Sequence, residues 1–316
     1  MSSRPTRPRP PARRAAALVP LAAALGLLAA RPSAAAPPAA EQPAPSQPAV
    51  PPSGLCLPAG VWAGPDGTPI AREAALSLLA GARVVLLGET HATEAHHRWQ
   101  ADVVAALAAD GRPLVIALEQ LPRTAQAALD DWVAGRLDEP AFLAASGWKA
   151  NWGHDFGPYR PLFEQARKAG LPMRAVNIER GFVRAVGQKG YARAAAEAGR
   201  PPVGRPAPPP EPYVAMLRGA FAMHGRPPSD EALARFVEAQ ASWDRAMAEG
   251  IAEALAARPE ARVVGIMGWG HVVGGHGVAH QLRALGHRRI ASAIPVRTEP
   301  PCPVPTGAAD LFFGAG

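Results

Sequence analysis

The sequence predicts an α/β protein with a mostly parallel central sheet flanked by helices. Two observations carry this. Short, fully apolar runs recur between stretches of helical periodicity, the pattern of strands buried on both faces and joined by helical crossovers. The other is an internal echo. Ala82-Arg83-Val84-Val85-Leu86-Leu87-Gly88-Glu89-Thr90-His91 matches Ala261-Arg262-Val263-Val264-Gly265-Ile266-Met267-Gly268-Trp269-Gly270-His271. Each is a buried strand, a glycine that releases the chain, and a histidine three residues later.

Taken in order, Val84–Leu87 is the first strand and ends at Gly88, and residues 93–109 follow as a helix. Leu114–Leu118 is a second strand. A helix is expected from about Thr124 to Leu137, with Leu129, Trp132 and Val133 at helical spacing. Met173–Ile178, Val263–Met267 and Ile290–Ile294 complete the strands. The longest helix is expected from about Asp230 to Ala257 with Ser229 as its N-cap, its buried face marked by Phe236, Gln240, Trp243, Met247 and Ile251. Ala192–Pro212 is rich in Ala, Gly, Arg and Pro, and reads as a mobile excursion, a flap beside the site. No long repeat period is present, which excludes a solenoid.

The first 36 residues read as an address label. Arg4, Arg7, Arg9, Arg13 and Arg14 form a basic region, Ala15–Ala30 is apolar apart from Pro20, and Ser33-Ala34-Ala35-Ala36 offers a cleavage site. The apolar run falls short of the roughly 20 residues of a membrane span. Arg13-Arg14 lacks the following Phe-Leu-Lys of a twin-arginine signal. Residues 37–53, rich in Pro, Ala and Gln, are expected as a disordered linker, residues 54–300 as the folded domain, and residues 301–316 as a flexible tail. Export across the inner membrane to the periplasm or cell envelope follows, with no transmembrane helix in the mature chain. Without the leader's six arginines the formal charge of +7 falls to about +1. The high pI therefore belongs to the leader, and no basic stripe argues for nucleic acid. Cys56 and Cys302 sit near the two limits of the domain, and in an exported protein they are expected to form a disulfide. Lipid modification of Cys56 is the competing reading, although Leu55 stands where that modification wants a small residue.

In a parallel sheet, ligands and catalytic groups gather beyond the carboxyl ends of the strands. His91 and His271 are expected to emerge there, with Glu119 and Asn177 delivered by the second and third strands. Glu89, His91, Glu119 and His271 are thus the candidate catalytic set. With Glu89, His91 and His271 as ligands the set would hold a divalent metal with an open position for water. Without metal, His91 would take a proton from water while Glu89 or Glu119 orients it. The plainer alternative is that these groups satisfy loop backbone and one another. His96 and His97 lie about 100° apart on the following helix, so only one can face the site. His91 and His96 are five apart, not the four that zinc helices use. Ala150-Asn151-Trp152-Gly153-His154-Asp155-Phe156 is an aromatic, polar loop of the kind that lines pockets. No Gly-rich phosphate fingerprint, Ser elbow or CxxC is present.

Leu87-Gly88-Glu89-Thr90-His91 with His96-His97-x-x-Gln100, Ala117-Leu118-Glu119, and Trp148-x-x-Asn151-Trp152-Gly153-x-Asp155 resemble the ChaN family of haem-binding uptake proteins. Ala175-x-Asn177, Ala239-Gln240-x-x-Trp243-Asp244-x-x-Met247-Ala248 and Gly268-x-Gly270-His271 continue the pattern over about residues 80–285. The resemblance implies a Tiki/erythromycin-esterase-like fold, an envelope location and haem binding for iron acquisition. It further implies a tyrosine as iron ligand and haem held between two protomers. The chain has three tyrosines; Tyr159, beside the aromatic loop, is the first candidate ligand and Tyr213 the second. The same superfamily implies a rival, an esterase or metal-dependent protease using Glu89, His91, Glu119 and His271. A non-catalytic envelope adaptor is a third reading.

Overall fold

The computed structural model describes residues 54–222, 229–302 and 304–316. The expected signal peptide (1–36) and linker (37–53) lie outside the described residues. The chain runs β1 (Trp62–Ala63), β2 (Pro69–Ile70), α1 (Arg72–Gly81), β3 (Val84–Glu89), α2 (Glu94–Ala108) and β4 (Leu114–Pro122). It continues through α3 (Gln126–Val133), α4 (Glu139–Ser146), α5 (Trp148–Asn151), α6 (Arg160–Ala169), β5 (Met173–Asn177), α7 (Arg180–Lys189), α8 (Tyr191–Ala198) and α9 (Glu211–Ala222). Last come α10 (Asp230–Ala257), β6 (Arg262–Gly268), α11 (Val278–Ala284), β7 (Ile290–Val296) and β8 (Leu311–Gly314). Among the described residues no helix is long and apolar enough to cross a membrane.

The sheet has eight strands in the order β2-β1-β8-β7-β3-β6-β4-β5. From β8 to β5 every pairing is parallel, and β1 joins β8 and β2 antiparallel. Strand alternation sends the β3 side chains to two cores. Val85 and Leu87 pack with Trp99, Leu118 and Phe163 on one face. Val84 and Leu86 pack with Met247, Ile251 and Val263 on the other. The expected continuous apolar runs exist because each central strand must satisfy both layers. α10 spans 28 residues, and Ser229 caps it by accepting from Ala232 N–H. It lies close on β5. A Cβ at Gly250 would stand 2.7 Å from Val176 Cγ1, so glycine there sets the helix-to-sheet spacing.

Three expectations need correction. The segment expected as a flexible tail carries β8, which pairs with β7 through Ala293–Leu311 and with β1 through Trp62–Phe313. Its Leu-Phe-Phe run buries Leu311 and Phe312, a signal hidden by its position after a Pro-rich stretch. The excursion at 192–212 begins within a helix, α8, because its alanines outweigh its polar residues there. Beyond α8 the excursion is tied down, with Gly204 N–H on Glu249 and Ala207 exchanging two hydrogen bonds with the Gln281 amide. The helix expected over 124–137 starts as a 3-10 turn at Arg123–Ala125 and ends at Val133.

The disulfide is present. Cys56 and Cys302 are bridged with their Cα atoms 5.4 Å apart, within the ordinary range.

Candidate functional site

β3 and β6 are neighbours, with Glu89 in register with Gly268. Both Gly-x-x-His elements therefore open at one end of the sheet. Gly268 is what lets them meet. A Cβ on it would stand 2.9 Å from His91 Cε1 and 3.7 Å from Glu119 Oε2, so His91 occupies the space a side chain would fill. The chain turns sharply after His91, where Ala92 has φ 59°, the only positive φ on a non-glycine among the described residues. Such strain persists where surrounding structure holds it, and often does so at functional sites.

Each histidine has its own carboxylate. Glu89, fully buried, places Oε1 2.9 Å from His91 Nδ1 and Oε2 3.4 Å from His97 Nδ1. The Tyr159 hydroxyl donates to the same Glu89 Oε1 at 3.3 Å. Burial pushes the Glu89 carboxyl up, but the His91 hydrogen bond and the His97 and His91 charges outweigh it and leave it lowered. Burial works against a charge on His91, yet its bond to Glu89 and the Glu119 charge hold its pKa above the usual imidazole range.

The second group centres on His271. Its Nδ1 lies 2.7 Å from Asp244 Oδ1, and its Nε2 lies 3.5 Å from Glu119 Oε1. Glu119 Oε2 accepts from Gly268 N–H at 2.6 Å, and the Glu119 carbonyl accepts from the Asn177 amide. Burial opposes the charge on His271, but Glu119 and Asp244 overcome it and push it up to about 10. Burial raises Glu119, while the His271 charge and hydrogen bond bring it down to about 2. At neutral pH this is an imidazolium flanked by two carboxylates.

The four expected catalytic residues thus come together. Asp244 was missed as a member. A carboxylate on the buried face of α10, between Gln240 and Met247, was the available signal, because a buried acid needs a partner. His96 and His97 divide as their spacing implied. His97 faces Glu89, while His96 Nδ1 accepts from Thr90 N–H and burial drives its pKa down to about 4.

The expected metal ligands Glu89, His91 and His271 do not converge on one point. Among the described residues no group of three or more His, Cys, Asp or Glu is placed to hold a metal ion. The physical reason is that Glu89 is spent on His91 and His97 while His271 is bracketed by Asp244 and Glu119.

The expected iron ligands are also placed differently. Tyr159 and Tyr213 are each 1% exposed. The Tyr213 hydroxyl donates to Asp244 Oδ2 at 2.7 Å. Burial, then the facing Glu89 for Tyr159 and Asp244 for Tyr213, raises both phenols and disfavours the phenolate. Tyr191 is also buried, donating to the Val203 carbonyl. All three phenols point inward because each fills core volume and satisfies its oxygen there.

The aromatic loop packs against His91. Trp152 meets His91 edge-on with ring centroids 4.6 Å apart, and the half-buried His154 lies 5.5 Å from His91 and 5.3 Å from Trp152. Exposed Arg180 donates to the Trp152 carbonyl at 3.2 Å. A separate open groove of about 710 Å³ lies at the opposite, amino-terminal edge of the sheet, lined by Arg83, Val84, Leu255, His287, Arg288 and Arg289.

The family model for haem-binding uptake, Tiki superfamily, ChaN, matches residues 75–282. The chain belongs to the ChaN family. ChaN of Campylobacter jejuni, in a structure describing cofacial haem binding, is 17% identical, with 80% of this chain and 95% of that one covered at a TM-score of 0.63. That likeness establishes a shared fold. The type III effector HopBA1 aligns at 12% identity, covering 84% of this chain and 98% of that one, with a TM-score of 0.45. An erythromycin esterase mutant, EreC, in its open conformation aligns at 11% identity and a TM-score of 0.41, covering 71% of this chain and 72% of that one. Comparison with curated proteins finds no match. In this ChaN-family chain the family span runs from α1 into α11, so it contains β3 to β6 and both Gly-x-x-His elements.

Proposed function

We propose that this chain is an exported haem-binding protein that takes part in haem or iron uptake in the periplasm or cell envelope, with haem as its cargo. The observation that carries the reading is the family match over residues 75–282. Haem is a flat apolar ring with an electron-accepting iron and two carboxylates, so it is held by an aromatic or apolar wall, an electron-pair donor to the iron and a cation. Trp152, His154 and Arg180, which lie beside His91 or one another, are groups of those three kinds and support the reading. Export is supported by the leader-like first 36 residues and by the Cys56–Cys302 bridge, since disulfides persist in oxidising compartments. A homodimer that shares haem is part of the same proposal.

Adding ferric haem to the purified mature chain tests it. A saturable Soret shift is expected, with a doubling of mass by light scattering on loading. A flat titration rejects the reading, and loading without a change of mass rejects the dimer.

A second reading is favoured by one observation: haem binding gives no reason to gather Glu89, His91, Glu119, His271 and Asp244 at one end of the sheet. That set suits ester or amide hydrolysis. His91, oriented by Glu89 at Nδ1, would accept a proton from water, and the His271 imidazolium would stabilise negative charge on the reacting oxygen. Turnover of a panel of activated esters, lost in His91→Ala, is the expected result for a hydrolase. No turnover by a protein that loads haem normally rejects it.

A further inference from the structure

We infer that the amino-terminal edge of the sheet docks on an acidic phospholipid bilayer, with a lipid headgroup phosphate taken into the groove beside Arg83, Arg288 and Arg289. The inference goes beyond the haem reading and rests on the proposal above only for the envelope location. It begins with the strand order. β7, β3, β6 and β4 are neighbours and run parallel. Each has an arginine at its start: Arg289 before Ile290, Arg83 before Val84, Arg262 as the first residue of β6, and Arg112 two residues before Leu114. Parallel strands bring their starts to one edge, so four positions scattered along the sequence form one basic row there. Arg288 adds a fifth cation.

The row is poorly compensated. Of these five arginines only Arg262 makes an ion pair among the described residues, with Asp110. Glu260, exposed in the turn before β6, pairs with none of them. Arg83 donates to the Pro259 carbonyl, Arg112 to those of Glu260 and Ala82, and Arg289 to that of Gly81. These carbonyls lie at or just past the ends of α1 and α10, where a cation is favoured by the helix dipole. Such capping uses one or two of the five N–H groups on each guanidinium. It leaves the crowding unexplained. Burial, then the charges of Arg262, Arg83 and Arg289, lowers the Arg112 pKa, so the row repels itself. Arg83 Nε is buried without a partner. Arg288 is exposed and makes no hydrogen bond or ion pair among the described residues. An anion among these groups would relieve the repulsion and satisfy the orphaned donor.

The groove beside the row selects the kind of anion. It holds about 710 Å³, and Val84, Leu255 and Ala256 give it an apolar wall next to Arg83, Arg288 and Arg289. A free inorganic anion would leave that wall wet. A glycerophospholipid offers a phosphodiester to the guanidinium forks and an apolar glycerol-ester region to the wall. The charge complementarity is local. Without the leader's arginines the formal charge is about +1, so overall charge gives little pull toward an acidic surface and the row supplies it. The Cys56 thiol is in the bridge to Cys302, so it carries no lipid anchor. Docking by this edge has a consequence for the Glu/His site. The two edges are opposite ends of the same strands, so the site would face away from the bilayer.

The experiment is co-sedimentation of the purified mature chain with two kinds of vesicle, phosphatidylcholine alone and phosphatidylcholine mixed with phosphatidylglycerol. Wild type is expected to bind only the acidic vesicles, and less as salt rises. Arg288→Gln removes a cation and no hydrogen bond, and should weaken binding roughly fivefold. Adding Arg289→Gln should bring the loss to roughly thirtyfold, with unchanged far-UV circular dichroism. If the double variant does not fold, the single variant decides. Arg193→Gln with Arg235→Gln, on α8 and at the far end of α10, removes equal charge elsewhere and should bind as wild type. The inference is overturned if acidic vesicles are not bound, or if phosphatidylcholine alone is bound equally well. It is also overturned if the groove variants bind as wild type, or if the control loses as much, which would make the attraction one of overall charge. Saturable binding of glycerol 3-phosphate without vesicle binding would assign the groove to a soluble phosphate and reject the bilayer. A protein that loads haem yet ignores the vesicles loses this inference alone, and a flat haem titration with vesicle binding intact loses only the haem reading.

Discussion

Asp244 Oδ1 lies 2.7 Å from His271 Nδ1, and this contact ties the long helix α10 to the turn after β6. Its partner on the other side, Glu119 from β4, makes His271 a buried cation between two acids. Removing Asp244 leaves His271 paired with Glu119 alone, so the loss should stay below the roughly 3–5 kcal/mol of stranding a buried charge outright. Asp244→Asn keeps the shape and removes the charge. The expected outcome is a loss of about 3 kcal/mol or less in urea unfolding, with the His271 titration moving down from about 10. An NMR titration of His271 that does not move would refute the assigned coupling.

The same pair sets a pH window. His271 is raised from 6.5 to about 10, so its contribution is fully present below pH 6.5 and lost as pH rises through about 10. Glu119 is depressed from 4.5 to about 2, so its contribution is present above pH 4.5 and lost as pH falls through about 2. Together they are fully present only between pH 4.5 and 6.5. Unfolding midpoints across pH should peak there and decline on the alkaline side, and Asp244→Asn should flatten that decline. An alkaline limb equally steep in both proteins counts against it.

Gly268→Ala tests the crossing of the two histidine elements. Its φ of −55° is ordinary, so the backbone tolerates alanine, but the new methyl would meet His91 Cε1 at 2.9 Å. Overpacking of this kind costs about 1–3 kcal/mol. His91 should be displaced, and its titration should fall toward that of a free imidazole as it leaves Glu89 and Glu119. Retention of the wild-type His91 titration would show that the ring does not occupy that space.

The Cys56–Cys302 bridge closes a loop of 246 residues. On the chain-entropy account its removal costs about 5 kcal/mol, and measured values often fall short of this. Cys56→Ser with Cys302→Ser should lower the melting temperature, and hydrogen exchange should rise first in β1 and β8, which the bridge flanks. Uniform exchange across the sheet would show that the bridge is not local to that edge.

Arg262, 1% exposed at the start of β6, donates to the Leu107 and Ala80 carbonyls and to Asp110 Oδ2 at 2.8 Å. Arg262→Ala strands two carbonyls and a carboxylate, and about 3 kcal/mol of stability should be lost. Asp110→Asn should lose far less, because Asp110 is part-exposed and water replaces the arginine. Equal losses in the two variants would contradict this.

The strands that build the site were legible because their signals are local. Val84–Leu87 and Val263–Met267 are apolar without alternation, and each is released by a glycine three residues before a histidine. Ser229 before a long amphipathic stretch marked the start of α10, with its end expected near Ala257. The four site residues at strand ends followed from the general behaviour of parallel sheets, and the two cysteines near the domain's limits announced the bridge without any coordinates.

What only the tertiary structure decided is how those residues are shared. Glu119 meets Gly268 across 149 residues of chain, and Asp244 meets His271 across 27. Whether a carboxylate holds a metal with two histidines or neutralises one of them depends on such distances, which no local pattern encodes. The tyrosines show the same limit, because a phenol reads alike in sequence whether it faces solvent or core. The last strand was hidden for a related reason. Leu311–Gly314 acquires its meaning only when β7 and β1 offer edges on either side of it, and edges are made by the fold as a whole.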